Sequence, residues 1–325
     1  MATYQKYLLY VLSLIAIGQS ANSQNLPIYN HYFNNPFFYN SSYAGAKKHT
    51  EINLLYRQQR TSLSGAPAFS FITVTAPISK KIGIGLAVYN NTRGVITTNS
   101  AQAALSYKVQ FNSKTYLRFG LATGLGKNSL DLDQVDVNDP VVARLLDNSI
   151  YLQGQAGINF QYQKLNIGFS MPQLFDQSIV NATTFKQADI NPFNTTVSSI
   201  SYQLQLGTSI NFQPVVMYKV SEKNGRFEGY GIVHFKDIFW LGGMYRQNYG
   251  AAAMTGFQIS NKLRLGYTYE FTTDQISQLA FNTHEFSLAL IFGKQPKDTN
   301  DRSFSDKSKT VPAGLKQKKR KTKHY

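Results

Sequence analysis

The chain has 325 residues, a formal net charge of +16, no cysteine, 14% aromatic residues and only 15% charged residues. A soluble protein usually carries about 25% charged residues, so the charge deficit argues against an ordinary soluble domain. The lack of cysteine excludes a disulfide framework and a lipoprotein anchor. Beyond residue 23, no apolar run reaches the ~20 residues of a membrane-spanning helix. This composition is typical of a membrane β-barrel, whose lipid-facing residues occupy alternate positions.

The first 23 residues predict a secretory signal peptide. Lys6 supplies a positive charge, residues 7–17 form a short apolar run, and Ala21-Asn22-Ser23 fits a small-x-small cleavage site. A membrane anchor is the alternative, but no stop-transfer pattern follows. We therefore expect the mature chain to begin near Gln24, as in an exported bacterial envelope protein.

Fourteen runs between residues 50 and 292 have the two-residue period of strands with two different faces. From residue 101, for example, Leu105, Tyr107 and Val109 alternate with Ser106 and Lys108. Run 68–78 is apolar on both faces and gives no orientation. The runs cover residues 50–60, 68–78, 82–90, 100–111, 115–127, 150–162, 165–172, 201–212, 214–220, 226–235, 238–247, 251–260, 263–271 and 283–292.

The connections between these runs favour a transmembrane antiparallel β-barrel over a soluble β-sandwich, which also alternates. Every second connection is tiny: 79–81, 112–114, 163–164, 213–214, 236–237 and 261–262. The others are mostly long, above all 128–149 and 173–200. Short periplasmic turns and long extracellular loops are typical of outer-membrane barrels. An even number of strands leaves no unpaired edge and places both termini in the periplasm.

Charged residues on the polar faces are expected to point into the lumen and to pair there, which would keep the wall rigid. They lie on distant strands and form no cluster in the sequence. A selectivity ring for solutes is the alternative interpretation. The predicted inward charges are Glu51, Arg57, Arg118, Arg264, Glu270 and Glu285.

The sequence gives no catalytic, cofactor-binding or metal-binding site and therefore favours a protein that is not an enzyme. The five histidines lie far apart, and His284-Glu285 lacks the rest of a zinc motif. Gly83-Ile84-Gly85 lies inside a strand, and the segment ending Gly126-Lys127-Asn128 departs from a phosphate loop at two positions. The acids between Asp131 and Asp139 are interpreted as solvated loop residues rather than as a calcium site.

Residues 293–325 form a basic tail in which nine Lys and two Arg outnumber three Asp by eight charges. This composition predicts disorder. Export excludes nucleic acid as a partner, which leaves an acidic periplasmic protein, peptidoglycan or a merely solubilising role. The densest basic positions are Lys316, Lys318, Lys319, Arg320, Lys321 and Lys323.

Several segments, in order along the chain, carry a family resemblance. The N-terminal ones are Gln24-Asn25-Leu26-Pro27, Tyr32-Phe33-Asn34-Asn35-Pro36, Asn40-Ser41-Ser42-Tyr43-Ala44-Gly45, Tyr56-Arg57-Gln58-Gln59-Arg60 and Gly65-Ala66-Pro67. The later ones are residues 139–140, 168–175, 239–246, 266–269 and 284–286. Together, over about residues 24–292, they resemble the PorP/SprF outer-membrane proteins of the type IX secretion and gliding machinery of Bacteroidota. Ser41-Ser42 and Arg60 depart from the family pattern, which has Pro-Ala and Trp there.

The resemblance implies a non-enzymatic secretion component of the bacterial outer membrane that works with the type IX translocon, its periplasmic ring and surface adhesins. It also singles out Asn40, Tyr43, Ala44, Gly45, Tyr56, Arg57, Gly65 and Pro67. We expect the segments from Asn40 to Gly45 and at Tyr56-Arg57 mainly to seat residues 24–49 against the barrel, with Gly45 in a tight turn and Arg57 in an inward hydrogen bond. A role in partner binding is the alternative.

Two functional hypotheses follow. In the first, the barrel docks a secreted cargo or adhesin through loops 128–149 and 173–200, and contacts the periplasmic machinery through its other face and tail. In the second, it is a passive or selective solute channel. The sequence leaves open whether residues 24–49 plug the lumen or lie along the periplasmic rim.

Overall fold

A computed structural model describes residues 27–59, 61, 65–131, 150–178, 195–221, 224–236, 238–272 and 283–293. The predicted signal peptide and the basic tail after Gly293 lie outside the described residues. Within the described part of the chain, no helix is both long and apolar enough to cross a membrane.

The fold is a single antiparallel β-sheet that closes on itself. Its segments are β1 Thr50–Gln58, β2 Ala68–Pro77, β3 Ile82–Arg93, β4 Ile96–Asn112, β5 Thr115–Leu130, β6 Ile150–Tyr162, β7 Leu165–Ser178, β8 Thr195–Tyr202, β9 Leu204–Leu206, β10 Ile210–Ser221, β11 Asn224–Phe235, β12 Phe239–Arg246, β13 Gly250–Ser260, β14 Leu263–Thr272 and β15 Thr283–Phe292. β8 and β9 both pair with β10 and are separated only at Gln203, so they count as one barrel strand. β1 pairs with β15, which closes the barrel and confirms the predicted fourteen strands.

Alternation decides which residues face the lipid and which face the lumen. In β3, Leu86 and Val88 are each 54% exposed on the outside, whereas Gly83, Gly85 and Ala87, at the alternate positions, are buried inside. The same rule resolves β2, which the sequence could not orient. Phe69 and Phe71 point inward and are buried, and Ile72 lies on the lipid-facing side.

One predicted strand and one predicted turn are wrong. Run 201–212 was expected to be continuous and to end at Gln213-Pro214, but the chain turns at residues 207–209, where Gly207 has φ +77°. This left-handed conformation suits glycine. Pro214 lies inside β10, opposite Gly231. The apolar alternation continues across this hairpin because both arms are lipid-facing strands, so periodicity alone did not reveal the turn.

The two rims differ as predicted. The turn rim carries the start of β1, the end of β15 and the short connections near residues 78–81, 113–114, 163–164, 207–209, 236–238 and 261–262. The loop rim carries the longest connections, 131–149 and 179–194. These are shorter than expected because β5 and β7 extend to Leu130 and Ser178, and β8 begins at Thr195. Three other loop-rim connections are only two or three residues long, at 94–95, 222–223 and 247–249.

Residues 27–49, here called the lumen segment, lie inside the barrel. They form three single-turn 3-10 helices, His31–Phe33, Pro36–Phe38 and Ser41–Tyr43. Tyr39 Oη donates to the carbonyl of Pro27 (2.6 Å) and accepts from Lys219 Nζ (3.0 Å), near the loop-rim end of β10. Because His49 directly precedes β1 at the turn rim, the segment runs down the lumen from the loop-rim side.

Candidate functional site in the barrel lumen

Small inward residues of β3 and β5 let the lumen segment approach the barrel wall. Gly45 has φ +55°, and a Cβ on Gly83 would collide with the carbonyl of Ala44. A Cβ on Gly85 would collide with the ring of Phe37, and one on Gly120 with the backbone of Ser41. The glycines of the Gly83-Ile84-Gly85 motif therefore provide close packing, a common role of glycine inside strands.

Asn40 joins the lumen segment to β6 and β7. Its Nδ2 donates to the carbonyls of Ile158 (3.2 Å) and Phe169 (3.3 Å). Its Oδ1 accepts from the backbone N–H (3.0 Å) and hydroxyl (2.6 Å) of Ser42 and so caps the third 3-10 turn. One side chain thus fixes both the local turn and its place against the wall.

Tyr43 extends this attachment towards the turn rim. Its hydroxyl donates to Asn166 Oδ1 (2.5 Å) and accepts from Asn159 Nδ2 (2.8 Å). On the other side of the segment, Tyr32 donates to Ser199 (2.8 Å).

A buried acidic site on β15 holds the start of the first 3-10 turn. Glu285 accepts from the backbone N–H groups of Asn30 (2.9 Å) and His31 (3.0 Å), and His31 Nδ1 lies 2.6 Å from the same carboxylate. Arg57 Nη1 lies 3.3 Å from Glu285 and 3.1 Å from Glu270. The relative exposure of each of these charged side chains is at most 1%, so the ion pairs are largely shielded from water.

The charges continue around the wall in alternating sign. Arg246 contacts Glu270 (3.3 Å), Glu228 (3.0 Å) and Asn30 Oδ1 (2.9 Å). Lys219 Nζ then lies 2.9 Å from Glu228. We call Arg57, Glu285, Glu270, Arg246, Glu228 and Lys219 the upper ion network, because it occupies the half of the barrel nearer the loop rim.

A second cluster lies near the turn rim. Glu51 accepts from Lys47 Nζ (2.7 Å) and Arg264 Nη2 (2.8 Å), and His49 Nε2 lies 3.1 Å away. Lys47 also donates to the carbonyl of Asn34 (3.1 Å). The last part of the lumen segment is therefore tied to Asn34 in the same segment and, through Glu51 of β1, to Arg264 of β14.

The pairing predicted for the inward charges is confirmed for Glu51, Arg57, Arg264, Glu270 and Glu285. Arg118 is also buried, and it donates to Ser106, whose hydroxyl donates to the carbonyl of Ala44. These charges lie far apart in the sequence and meet only in the closed barrel, where Arg57 lies directly opposite Glu285. Sequence reasoning missed Lys219, Glu228 and Arg246, which lie in phase with the other lumen-facing positions of their strands.

The remaining motif residues have different locations. Tyr56 is 49% exposed on the lipid-facing side, where its hydroxyl donates to Gln58 (2.6 Å). Gly65 and Pro67 lie in the connection between β1 and β2, and Pro67 accepts from the backbone N–H of Gln59 (2.9 Å). The six basic tail positions lie outside the described residues. Among the residues that are described, no group of three or more His, Asp or Glu side chains could hold a metal ion.

The lumen segment leaves little free space where cavities border it. One cavity beside His31, Leu55 and Arg264 measures about 10 Å³, and another beside Phe37, Tyr43 and Asn166 measures about 30 Å³. Since one water needs roughly 10–15 Å³, the smaller cavity has room for at most one water and the larger for about two.

Comparison with known proteins gives one family and a group of barrels. A family model described as type IX secretion system membrane protein PorP/SprF matches residues 21–290. No curated protein sequence matches the chain. Among solved structures, the chain is similar to Omp33 of Acinetobacter baumannii (8% identity, TM-score 0.44), with 76% of this chain and 100% of that chain covered. It is also similar to the CymD monoaromatic hydrocarbon channel (9%, 0.47; 84% and 95% covered) and to the P. putida toluene transporter TodX (8%, 0.42; 79% and 92% covered).

Proposed function

The chain belongs to the PorP/SprF family of type IX secretion system membrane proteins, and from this premise we propose that it is a non-enzymatic docking component of the outer membrane. It holds a secreted cargo or surface adhesin on its outer side and links it to the secretion and gliding machinery in the periplasm. The observation that carries the proposal is the filled lumen.

The lumen segment supports docking over solute transport. It is fixed by Glu285 on β15, by Asn40 against β6 and β7, and by close packing on β3 and β5. A conducting path would require this segment to leave, and its departure would expose several buried ion pairs and unpaired donors. The cost of an unpaired buried donor is about 1–3 kcal/mol, so departure of the segment would require new hydrogen-bond partners for many groups at once.

In this proposal each rim has its own partner. Residues 128–149 and 173–200, whose strand portions extend β5, β7 and β8 towards the loop rim, supply the outer docking surface. The turn rim and the basic tail face the periplasm, where an acidic ring protein or peptidoglycan is the complementary partner. The tail's excess of eight positive charges supports an electrostatic contact of this kind.

The decisive experiment is quantitative proteomics of the medium and cell surface of a strain that lacks this gene. We expect one or a few surface proteins with type IX sorting domains to disappear from the surface or to accumulate in the periplasm. Re-expression of the wild-type gene is the control. An unchanged secreted set would overturn the docking proposal.

A conductance measurement separates the two functional hypotheses. In planar bilayers the intact barrel should pass no steady current, whereas a variant lacking residues 27–45 should conduct if it folds. Heat-modifiable migration on gels checks that both barrels are folded. Steady conductance of the intact protein would favour the solute-channel hypothesis instead.

A further inference from the structure

The outside of the barrel has a concavity of about 1070 Å³ that crosses the β1–β15 seam. Its edge nearer the turn rim is a row of directly paired, outward-facing apolar residues on neighbouring strands. In order around the barrel this row includes Leu265, Leu288, Leu54, Ile72 and Val88. This volume lies just above the range of roughly 300–1,000 Å³ typical of small-ligand sites.

The next row towards the loop rim is polar over β2 to β5. Register pairs Ser70 with Asn90, Asn90 with Asn99, and Asn99 with Lys127, and all four line the same concavity. Asn90 Nδ2 donates to Asn99 Oδ1 (2.8 Å), which fixes the orientation of this amide pair. Lys127 is exposed, and no ion pair or hydrogen bond of its side chain occurs among the described residues. The side of the groove nearer the turn rim is therefore apolar, and the side nearer the loop rim is polar and carries one positive charge.

We propose that this groove binds an anionic lipid of the outer leaflet, with its acyl chains packed against the apolar row and a phosphoryl group at Lys127. The two rows match the two ends of such a lipid, because one row is apolar and the next row, nearer the loop rim, is polar and carries a positive charge. Tyr267, Phe286 and Tyr56 continue the polar row around the barrel, and aromatic residues in such a row are typical of a membrane interface. The site is independent of the docking role of the rims.

A lipid fits these features better than a second membrane protein does. A barrel wall is normally convex and contacts annular lipid without holding it, whereas a concavity surrounds a chain on more than one side. A protein partner would bury an apolar face without requiring a cation beside the polar row. Lys127 points to a lipid with net negative charge rather than a zwitterionic one, since a lysine favours a group with net negative charge.

The test measures binding of purified lipid A and of its dephosphorylated form by native mass spectrometry. Lys127→Glu is expected to weaken lipid A binding about tenfold, the loss of one charge-assisted contact, and to leave binding of the dephosphorylated form unchanged. Val88→Trp fills the apolar row and is expected to weaken binding of both. Lys114→Glu at the turn rim and Leu86→Trp on the same face of β3, outside the concavity, are matched controls that should bind normally.

Heat-modifiable migration confirms that each variant is folded before binding is compared. Equal lipid A affinity of wild type, Lys127→Glu and Val88→Trp would overturn the proposal, as would equal affinity of the wild type for both lipids. A photo-crosslinking residue at position 88 provides a second readout in cells. A crosslink to protein and not to lipid would contradict the proposal and indicate a membrane-protein partner, whereas a crosslink to lipid supports the proposal.

Discussion

Removing the Glu285 carboxylate should release the start of the lumen segment. In Glu285→Ala the backbone N–H groups of Asn30 and His31 lose their acceptor, and Arg57 keeps only Glu270. An orphaned buried donor costs about 1–3 kcal/mol, and breaking a buried ion pair costs about 3–5 kcal/mol. We therefore expect the free energy of unfolding to fall by about 3–5 kcal/mol.

The only tryptophan in the chain provides the assay. Trp240 is 4% exposed and packs edge-on against Phe33 (4.9 Å between ring centroids) and His31 (5.6 Å). If the segment loosens, the indole meets water and its emission shifts to longer wavelength under native conditions. Denaturant titration of the same signal in micelles gives the free energy of unfolding.

Two further variants show whether the carboxylate acts as reasoned. Glu285→Gln keeps one acceptor oxygen and the side-chain volume, so its loss should be smaller, about 1–3 kcal/mol. In a double-mutant cycle, the cost of Glu285→Ala should be smaller in an Arg57→Ala background, because the two side chains contact each other. A loss below about 1 kcal/mol for Glu285→Ala, together with unchanged Trp240 emission, would refute the anchoring role.

Three other perturbations follow from the same geometry. Asn40→Ala removes hydrogen bonds to β6, β7 and Ser42 and should lower stability by about 1–3 kcal/mol, measured by the same titration; no loss would show that these bonds are dispensable. Gly85→Leu should displace the ring of Phe37 and make the lumen segment accessible to added protease in folded barrels, whereas continued protection would contradict the close packing. Truncation after Phe292 should leave the barrel inserted but weaken co-purification of a periplasmic partner; unchanged co-purification would count against a binding role for the tail.

Strand faces could be predicted from the sequence because lipid and lumen impose opposite preferences on alternate residues. The prediction of strand faces failed in β2, where contacts with the lumen segment favour apolar residues on the inward face. Phe69 and Phe71 are apolar although they face inward, because they pack against Phe38 of the lumen segment, at centroid distances of 5.4 Å and 4.9 Å. Pro214 was interpreted as a turn residue, although the turn occurs at Gly207.

The candidate site was less predictable than the strands because its partners are far apart in the chain. Arg57 and Glu285 become neighbours only through closure of the barrel, and the acceptor for Asn30 lies on the last strand. The small inward residues Gly83 and Gly85 were visible as a motif, but nothing local identifies Ala44 or Phe37 as the groups that approach them. Periodicity predicts which side of the sheet a residue faces, but it does not predict which residues of distant strands become neighbours when the barrel closes.

The position of Glu285 links occupancy of the lumen to closure of the barrel. Its strand, β15, pairs with β1 along the whole of β1 and completes the sheet. The same carboxylate accepts from the lumen segment and contacts Arg57 on β1, so one buried group serves the seam and the segment together. Because an unpaired carboxylate is costly in a dry interior, a closed seam favours a seated segment, and a seated segment favours a closed seam. A barrel built in this way resists opening of its lumen, and any partner contacts are left to its rims and its outer surface.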